Sequence, residues 1–355
     1  MPHKPQLDGL RFLAFLAVFF FHAKPGFYSW GPQGVQVFFT LSGFLITRIL
    51  ILGESGILTD DLKRFYIRRT LRIFPLYYAV VIWLWSMDQL PGVGWYLAYV
   101  YNFRVFLERG WGGPVGHFWT LSVEEQFYLL FPPALLLISN RWRPWMIVGM
   151  ILATKAFQAY AHERLSIPWA SFLLPYCGEH LLWGCVAGFL EVKTRKFWCD
   201  GLVCLFIGLA LILLTRIRPE WVVHPPPTLF ILSALTGFGI GSAFLVFGLW
   251  RTSSPWIIGP LAFGPVAYLG RISYGLYVYH LLVIERNWIM YVPEYYLFPE
   301  PYGTLLVTIA LASASWHFFE QPINQLKERL TVGSGPWPLP WYVVAIRAKI
   351  RERVG

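Results

Sequence analysis

Leu7-Asp8-Gly9-Leu10-Arg11-Phe12-Leu13-Ala14-Phe15-Leu16-Ala17-Val18-Phe19-Phe20-Phe21-His22-Ala23-Lys24-Pro25 decides the fold class. Every residue between Arg11 and His22 is apolar, and nothing breaks a helix before Pro25. A helix on the surface of a soluble protein keeps one polar face; this one is apolar all round, as a membrane span is. Lys4 followed by an apolar run resembles a secretion signal, but no small-x-small cleavage site follows, so the segment reads as a retained first helix. Working outward, long, mainly apolar runs recur at Val35–Leu52, Trp145–Phe157, Leu202–Leu214, Leu229–Trp250 and Leu305–Ser315. The chain is 56% hydrophobic and 14% charged, against about 25% charged in soluble proteins. Its 18 Trp suit repeated anchoring at membrane–water boundaries.

Basic residues exceed acidic ones, 29 to 19, for a net charge of +10. Such a balance can signal nucleic-acid binding. Here the basic residues fall between the apolar runs, the pattern of cytoplasmic loops, and no nucleic-acid partner is expected. Cys177, Cys185, Cys199 and Cys204 form no CxxC pair and no metal spacing, so no metal is expected.

Eleven apolar segments lie near residues 7–25, 35–52, 73–88, 94–107, 118–138, 144–161, 173–191, 200–215, 228–250, 266–290 and 303–319. Pro91–Gly94 and Pro225–Pro227 are among the links between them. Keeping Lys63, Arg64, Arg68, Arg69, Arg72, Arg141, Arg143, Lys193, Arg195, Lys196, Arg251, Arg271 and the tail from Lys327 on one side requires an even number of crossings between Arg72 and Arg141. Gly94–Leu107, short and carrying Asn102 and Arg104, is the segment that dips in without crossing. The expected fold class is all-α: a polytopic membrane helix bundle of about ten transmembrane helices with one re-entrant or interfacial segment and both termini cytoplasmic. Residues 1–322 form one membrane domain. Residues 323–355 form a short basic cytoplasmic tail, where Trp337, Trp341 and Tyr342 suit an interfacial helix at the lipid surface.

Four groups of polar residues stand where polarity is costly. Arg11 and His22 are eleven residues apart, about 16.5 Å of rise and three turns plus about 20°, so they share a helix face. Each alone also reads as a boundary residue with its polar end in water. Arg69 and Arg72 share a face at i,i+3 and can grip phosphate oxygens in pairs; they also read as topology signals or anionic-lipid contacts. In Gly116-His117-Phe118-Trp119-Thr120-Leu121-Ser122-Val123-Glu124-Glu125-Gln126-Phe127-Tyr128 two carboxylates lie deeper than a first turn would excuse. His117 and Glu124 align if both are helical. Ser273, Tyr277 and His280 make a polar stripe at i, i+4, i+7, which also serves helix–helix adhesion. The pattern implies a polar interior running from an arginine cluster to a histidine at the opposite face. It fits a transporter or flippase, or a scaffold with packed polar residues, as well as a transferase.

The sequence resembles the acyltransferase 3 family of membrane-bound acyltransferases. The likeness is carried by Leu7-Asp8-Gly9-Leu10-Arg11 with His22, by Gly34-Val35-x-x-Phe38-Phe39-x-x-Ser42-Gly43-Phe44, and by Arg69-x-x-Arg72-Ile73-x-Pro75. It continues through the motif from His117 to Tyr128, Ile272-Ser273-Tyr274-Gly275-Leu276-Tyr277 and Phe319-Glu320-x-Pro322. The resemblance implies transfer of an acyl group, most commonly acetyl, from cytoplasmic acyl-CoA (acetyl-CoA) to a hydroxyl of a carbohydrate or glycolipid in the cell envelope, by an enzyme of the inner (cell) membrane. It implies His22 as the catalytic histidine; Glu124 and His117 complete the expected catalytic set, Glu124 orienting His22 or His117. Arg11, Arg69 and Arg72, with Ser42, are the expected donor-binding residues, and Trp119, Ser122, Tyr128, Tyr277, His280 and Glu320 the expected substrate-binding ones. Some members carry a further esterase-like domain. Only a short tail follows Glu320 here, so a second transfer step is expected to fall to a separate protein. The region around Tyr176–Leu190 matches the family pattern poorly, and no role is carried onto Glu179 or His180.

Overall fold

The computed structural model describes residues 3–111, 113–165, 167–194, 200–215, 227–286 and 301–330. Among them there are helices and no strand. In chain order these are α1 (Pro5–Ala23), α2 (Gly31–Gly53), α3 (Leu58–Ser86), the short α4 (Val93–Leu97) and α5 (Tyr101–Glu108), α6 (Trp119–Leu137) and α7 (Arg143–Arg164). The short α8 (Ile167–Ala170) and α9 (Leu174–Cys177) lead to α10 (Glu179–Lys193), α11 (Gly201–Leu214) and α12 (Pro227–Arg251). Then come α13 (Pro255–Ala262), α14 (Gly264–Arg271), α15 (Ser273–Arg286), α16 (Tyr302–Ser315), a π-turn over Trp316–Glu320 and α17 (Gln321–Leu330). Arg195, Lys196, Cys199 and the tail from 331, with its expected interfacial helix, lie outside the described residues.

Among the described residues four helices are long and apolar enough to cross a membrane: α1, α2, Ser233–Arg251 within α12, and the continuous helix Tyr302–Lys327. The expected ten is therefore not reached on length and apolarity. α11 is apolar throughout but only 14 residues long. α3 reaches back to Leu58, well before the expected start near 73, running unbroken through the basic residues and through Pro75. Its 29 residues span about 43 Å at 1.5 Å each, longer than the roughly 30 Å hydrocarbon layer. The segment expected at 266–290 is split: the N–H of Ile272 caps α14 on Tyr268 and Gly270, and α15 starts afresh at Ser273. Residues 94–107 form two helices of five and eight residues, neither long enough to cross. Their buried Asn102 is satisfied by Gln126 of α6 and the Phe172 carbonyl, as backbone and amides shielded from water must be.

α1 lies at the centre, packed on α2, α13, α14 and α15. α2 and α10 pack along the most extensive contact. Gly43 faces the Leu181 carbonyl, and Gly184 and Gly188 face the carbonyls of Thr40 and Phe44, so a side chain at any of the three would force the backbones apart. At one end of the bundle Arg143, at the start of α7, grips Glu54, after α2, with two hydrogen bonds of 2.7 and 2.9 Å. Arg143 is only 2% exposed, so it is a buried ion-pair partner rather than a free loop charge. Arg64 is likewise bonded to Asp61.

Candidate active site

Two helices bring three guanidinium groups together. Arg11 of α1 and Arg69 and Arg72 of α3 line one cavity of about 170 Å³, with Ser42, Glu124, Tyr128, Ser273 and Tyr277. Arg11 is held by Asp8, one turn before it. Neither Arg69 nor Arg72 forms a hydrogen bond or ion pair with any described residue; Arg69 lies over the Tyr128 ring, 4.8 Å from its centroid. Tyr128 donates to Ser42 (3.1 Å), which donates to Glu124 (2.8 Å). Three guanidiniums against one lining carboxylate leave this cavity positive, with two arginines whose donors are unspent. That is a receptacle for an anion with several oxygens.

His22 lines a second, larger cavity of about 620 Å³ with His117, Trp119, His180, Gln36 and Glu285. Trp119 and Phe172 meet edge to face at 4.8 Å on its wall. His117 is 2% exposed and neither ring nitrogen makes a hydrogen bond. His22 Nδ1 is 3.2 Å from Nε2 of His280, whose Nδ1 is 2.6 Å from the Tyr277 carbonyl.

The two cavities share Val35, Phe39, Thr120 and Tyr277 in their walls. Across that wall the Tyr277 and Thr120 hydroxyls are 2.7 Å apart, and Tyr277 also donates to the His117 carbonyl. α15 is pinned there by Tyr274, whose hydroxyl donates to the Ile73 carbonyl of α3 at 2.7 Å.

The expected residues divide between these places. Arg11, Arg69, Arg72, Ser42, Tyr128 and Glu124 face the positive cavity; His22, His117 and Trp119 face the other; Tyr277 belongs to both. Glu124 is thus not beside His22 or His117. His117 sits in a 3₁₀ turn, Gly116–Phe118, ahead of α6, so the helical alignment of residues seven apart does not apply. Ser122, His280 and Glu320 line neither cavity. Ser122 donates to Phe118, His280 meets His22, and Glu320 accepts from Ser315 in the π-turn. Thr120, His180 and Glu285 were not anticipated. Glu285 continues the Tyr277 face at i+8, through Leu281, which lines the same cavity, so the stripe itself could have pointed to it. Thr120 lay inside the quoted motif. His180 had no signal beyond its chemistry.

In this helical chain the arginine-lined and the histidine-lined cavity thus lie back to back. The acyltransferase domain model of the acyltransferase 3 family matches residues 4–319, and the chain belongs to that family. It is 27% identical to the peptidoglycan O-acetyltransferase OatA of Listeria monocytogenes over 90% of this chain and 56% of that protein. YrhL of Bacillus subtilis, provisionally named a peptidoglycan O-acetyltransferase, is 26% identical over 90% of this chain and 55% of its own length. A provisionally named O-acetyltransferase of Staphylococcus aureus is 27% identical over 92% and 58%. The chain thus spans just over half the length of these relatives. No solved structure matches it.

Proposed function

We propose that the protein is a membrane-bound O-acyltransferase that moves an acetyl group from acetyl-CoA to a hydroxyl of a cell-envelope glycan, with peptidoglycan the acceptor class its relatives' names suggest. The observation that carries this is the common wall of the two cavities, which puts the unspent arginines and His22 on opposite sides of Tyr277 and Thr120. The positive cavity suits the phosphates of CoA on the cytoplasmic side. The larger, aromatic-walled one suits a sugar on the outer side. In the reaction, the acceptor oxygen attacks the thioester carbonyl while His22 takes the hydroxyl proton. A C–O bond forms, the C–S bond breaks, and the leaving thiolate takes the proton from His22. Residues 1–322 make up the catalytic membrane domain, in the cell membrane with the N-terminus in the cytoplasm. The test is mass spectrometry of surface glycans from cells with and without the protein. Acetylated sugars should be present with the wild type and reduced about 10²–10⁴-fold with His22→Ala, at equal protein in the membrane. Undiminished acetylation with His22→Ala would remove His22 as the base.

A further inference from the structure

His280 is completely buried and lines neither cavity, yet it makes one side-chain hydrogen bond, to His22. Its other nitrogen, Nδ1, lies 2.6 Å from the Tyr277 carbonyl. A carbonyl only accepts, so Nδ1 carries a hydrogen. A second hydrogen on Nε2 would make the ring a cation, sealed from water and without a bonded carboxylate among the described residues; such a buried, unpaired charge is costly. Neutral His280 therefore presents Nε2 as a lone pair. His22 Nδ1, 3.2 Å away, must be the donor.

We propose that His280 is the positioning residue of the reaction: together with the Tyr277 carbonyl it holds His22 as the Nδ1–H tautomer and so reserves Nε2 of His22 as the basic atom. This rests on His22 being the base. The two ring nitrogens of a neutral imidazole are one donor and one acceptor, and the bond made by the first decides which the second is. An imidazole free in water prefers the opposite tautomer, with hydrogen on Nε2, which would leave the lone pair on the edge facing His280. The relay also fixes the ring plane, and when His22 takes up the acceptor's proton its Nδ1–H bond to His280 becomes charge-assisted and strengthens. An orienting partner that sets the tautomer of a catalytic histidine is the logic of the serine-protease triad; here a second histidine and a backbone carbonyl take the place of the carboxylate. The same hydrogen-bonded edge links His22 to the wall between the cavities, because Tyr277 supplies both the carbonyl that orients His280 and the hydroxyl that meets Thr120.

The experiment is ¹⁵N NMR of histidine-labelled protein in lipid bilayers, the His22 signals being assigned by their loss in His22→Ala. Wild type should show hydrogen on Nδ1 of His22. His280→Ala should shift the signal to the Nε2–H form and lower kcat about 10–100-fold with little change in KM for acetyl-CoA. His280→Gln, whose carbonyl can still accept from Nδ1–H, should recover part of both and stands in if the alanine variant does not fold. An Nε2–H tautomer in the wild type overturns the proposal, as does a folded His280→Ala with wild-type kcat. Full turnover by His22→Ala overturns the base assignment and the role of His280 with it. That failure is recognised separately, because the wild-type tautomer is read without any turnover.

Discussion

Arg69 and Arg72 line their cavity without a hydrogen bond or ion pair to any described residue, unlike four other arginines of the bundle. Arg143 is spent on Glu54, Arg64 on Asp61, Arg11 on Asp8 and Arg48 on Glu191. A guanidinium left without a carboxylate beside a cavity is costly unless a ligand completes it, and a CoA phosphate would do so in bidentate fashion. Arg69→Ala and Arg72→Ala should each weaken acetyl-CoA binding about 10–100-fold, the loss of a charged hydrogen bond worth about 1.5–3 kcal/mol. Binding of a glycan acceptor should change little. Lysine should restore only part, since it offers a point charge without the planar fork. Titration calorimetry of purified protein decides it: acetyl-CoA affinity equal in the wild type and both alanine variants would reject the donor assignment. At this scale the sequence was informative where helix spacing held. Arg69 and Arg72, at i,i+3 on the unbroken α3, line one cavity, whereas Arg11 and His22, both on the unbroken α1, line different ones. His117 and Glu124 were separated because a 3₁₀ turn precedes α6, and nothing in a run of Gly, His, Phe and Trp marks that change of winding.

Helix by helix, the frame is set by how closely backbones approach. A Cβ at Gly184 would overlap the Thr40 carbonyl of α2, whereas at Gly149 on α7 it would meet nothing within 4 Å. The same substitution should therefore act with opposite sign. Gly149→Ala removes backbone freedom from the unfolded chain and should be neutral or stabilising by up to about 1 kcal/mol. Gly184→Ala must push α2 from α10 and should cost about 1–3 kcal/mol. Thermal unfolding in one detergent reads both, and a Gly184→Ala midpoint at or above that of Gly149→Ala would refute the close contact. α2 carries Ser42 and the shared-wall residues Val35 and Phe39, so a displaced α2 should also lower turnover. The helical class and most helix positions were legible because apolar runs and Pro or Gly links mark them. The ends of α3 and the break at Ile272 were not. Basic residues continue a helix as well as apolar ones do, and the break arises where Gly270 meets the backbone of Asp8 in α1, a tertiary contact.

At the scale of the whole molecule, the question is which ends of the bundle face which side, and the Arg143–Glu54 pair constrains it. Its two hydrogen bonds hold the start of α7 against the end of α2, at the end of the bundle where α3 begins. The chain therefore leaves that end at α3 and is back there at α7, which requires an even number of crossings between. In the expected topology α3 and α6 are those two crossings, and α4 and α5 are none. At the other end a Cβ at Gly113 would lie 3.6 Å from the Gln89 carbonyl, so the segment between them starts and finishes close together. Arg104 inside it is bonded to Glu108 and to the Pro91 carbonyl, which spares it from facing lipid as an unpaired charge. If the arginine cluster is cytoplasmic, residues 89–116 lie outside and His22, at the far end of α1, lies beside them. Labelling with a membrane-impermeant thiol reagent, in protein lacking Cys177, Cys185, Cys199 and Cys204, tests this. Gly92 and Gly113 have φ of +71° and +76°, so a cysteine at either would be strained, and Pro91→Cys and Gly110→Cys are the better probes. Both should label in intact cells. If Pro91→Cys labels and Gly110→Cys does so only after permeabilisation, the segment crosses, and His117 could not share a cavity with His22. If both need permeabilisation, the bundle is inverted. The arginines would then face away from the cytoplasmic pool of acetyl-CoA, and the donor assignment would fail with the orientation.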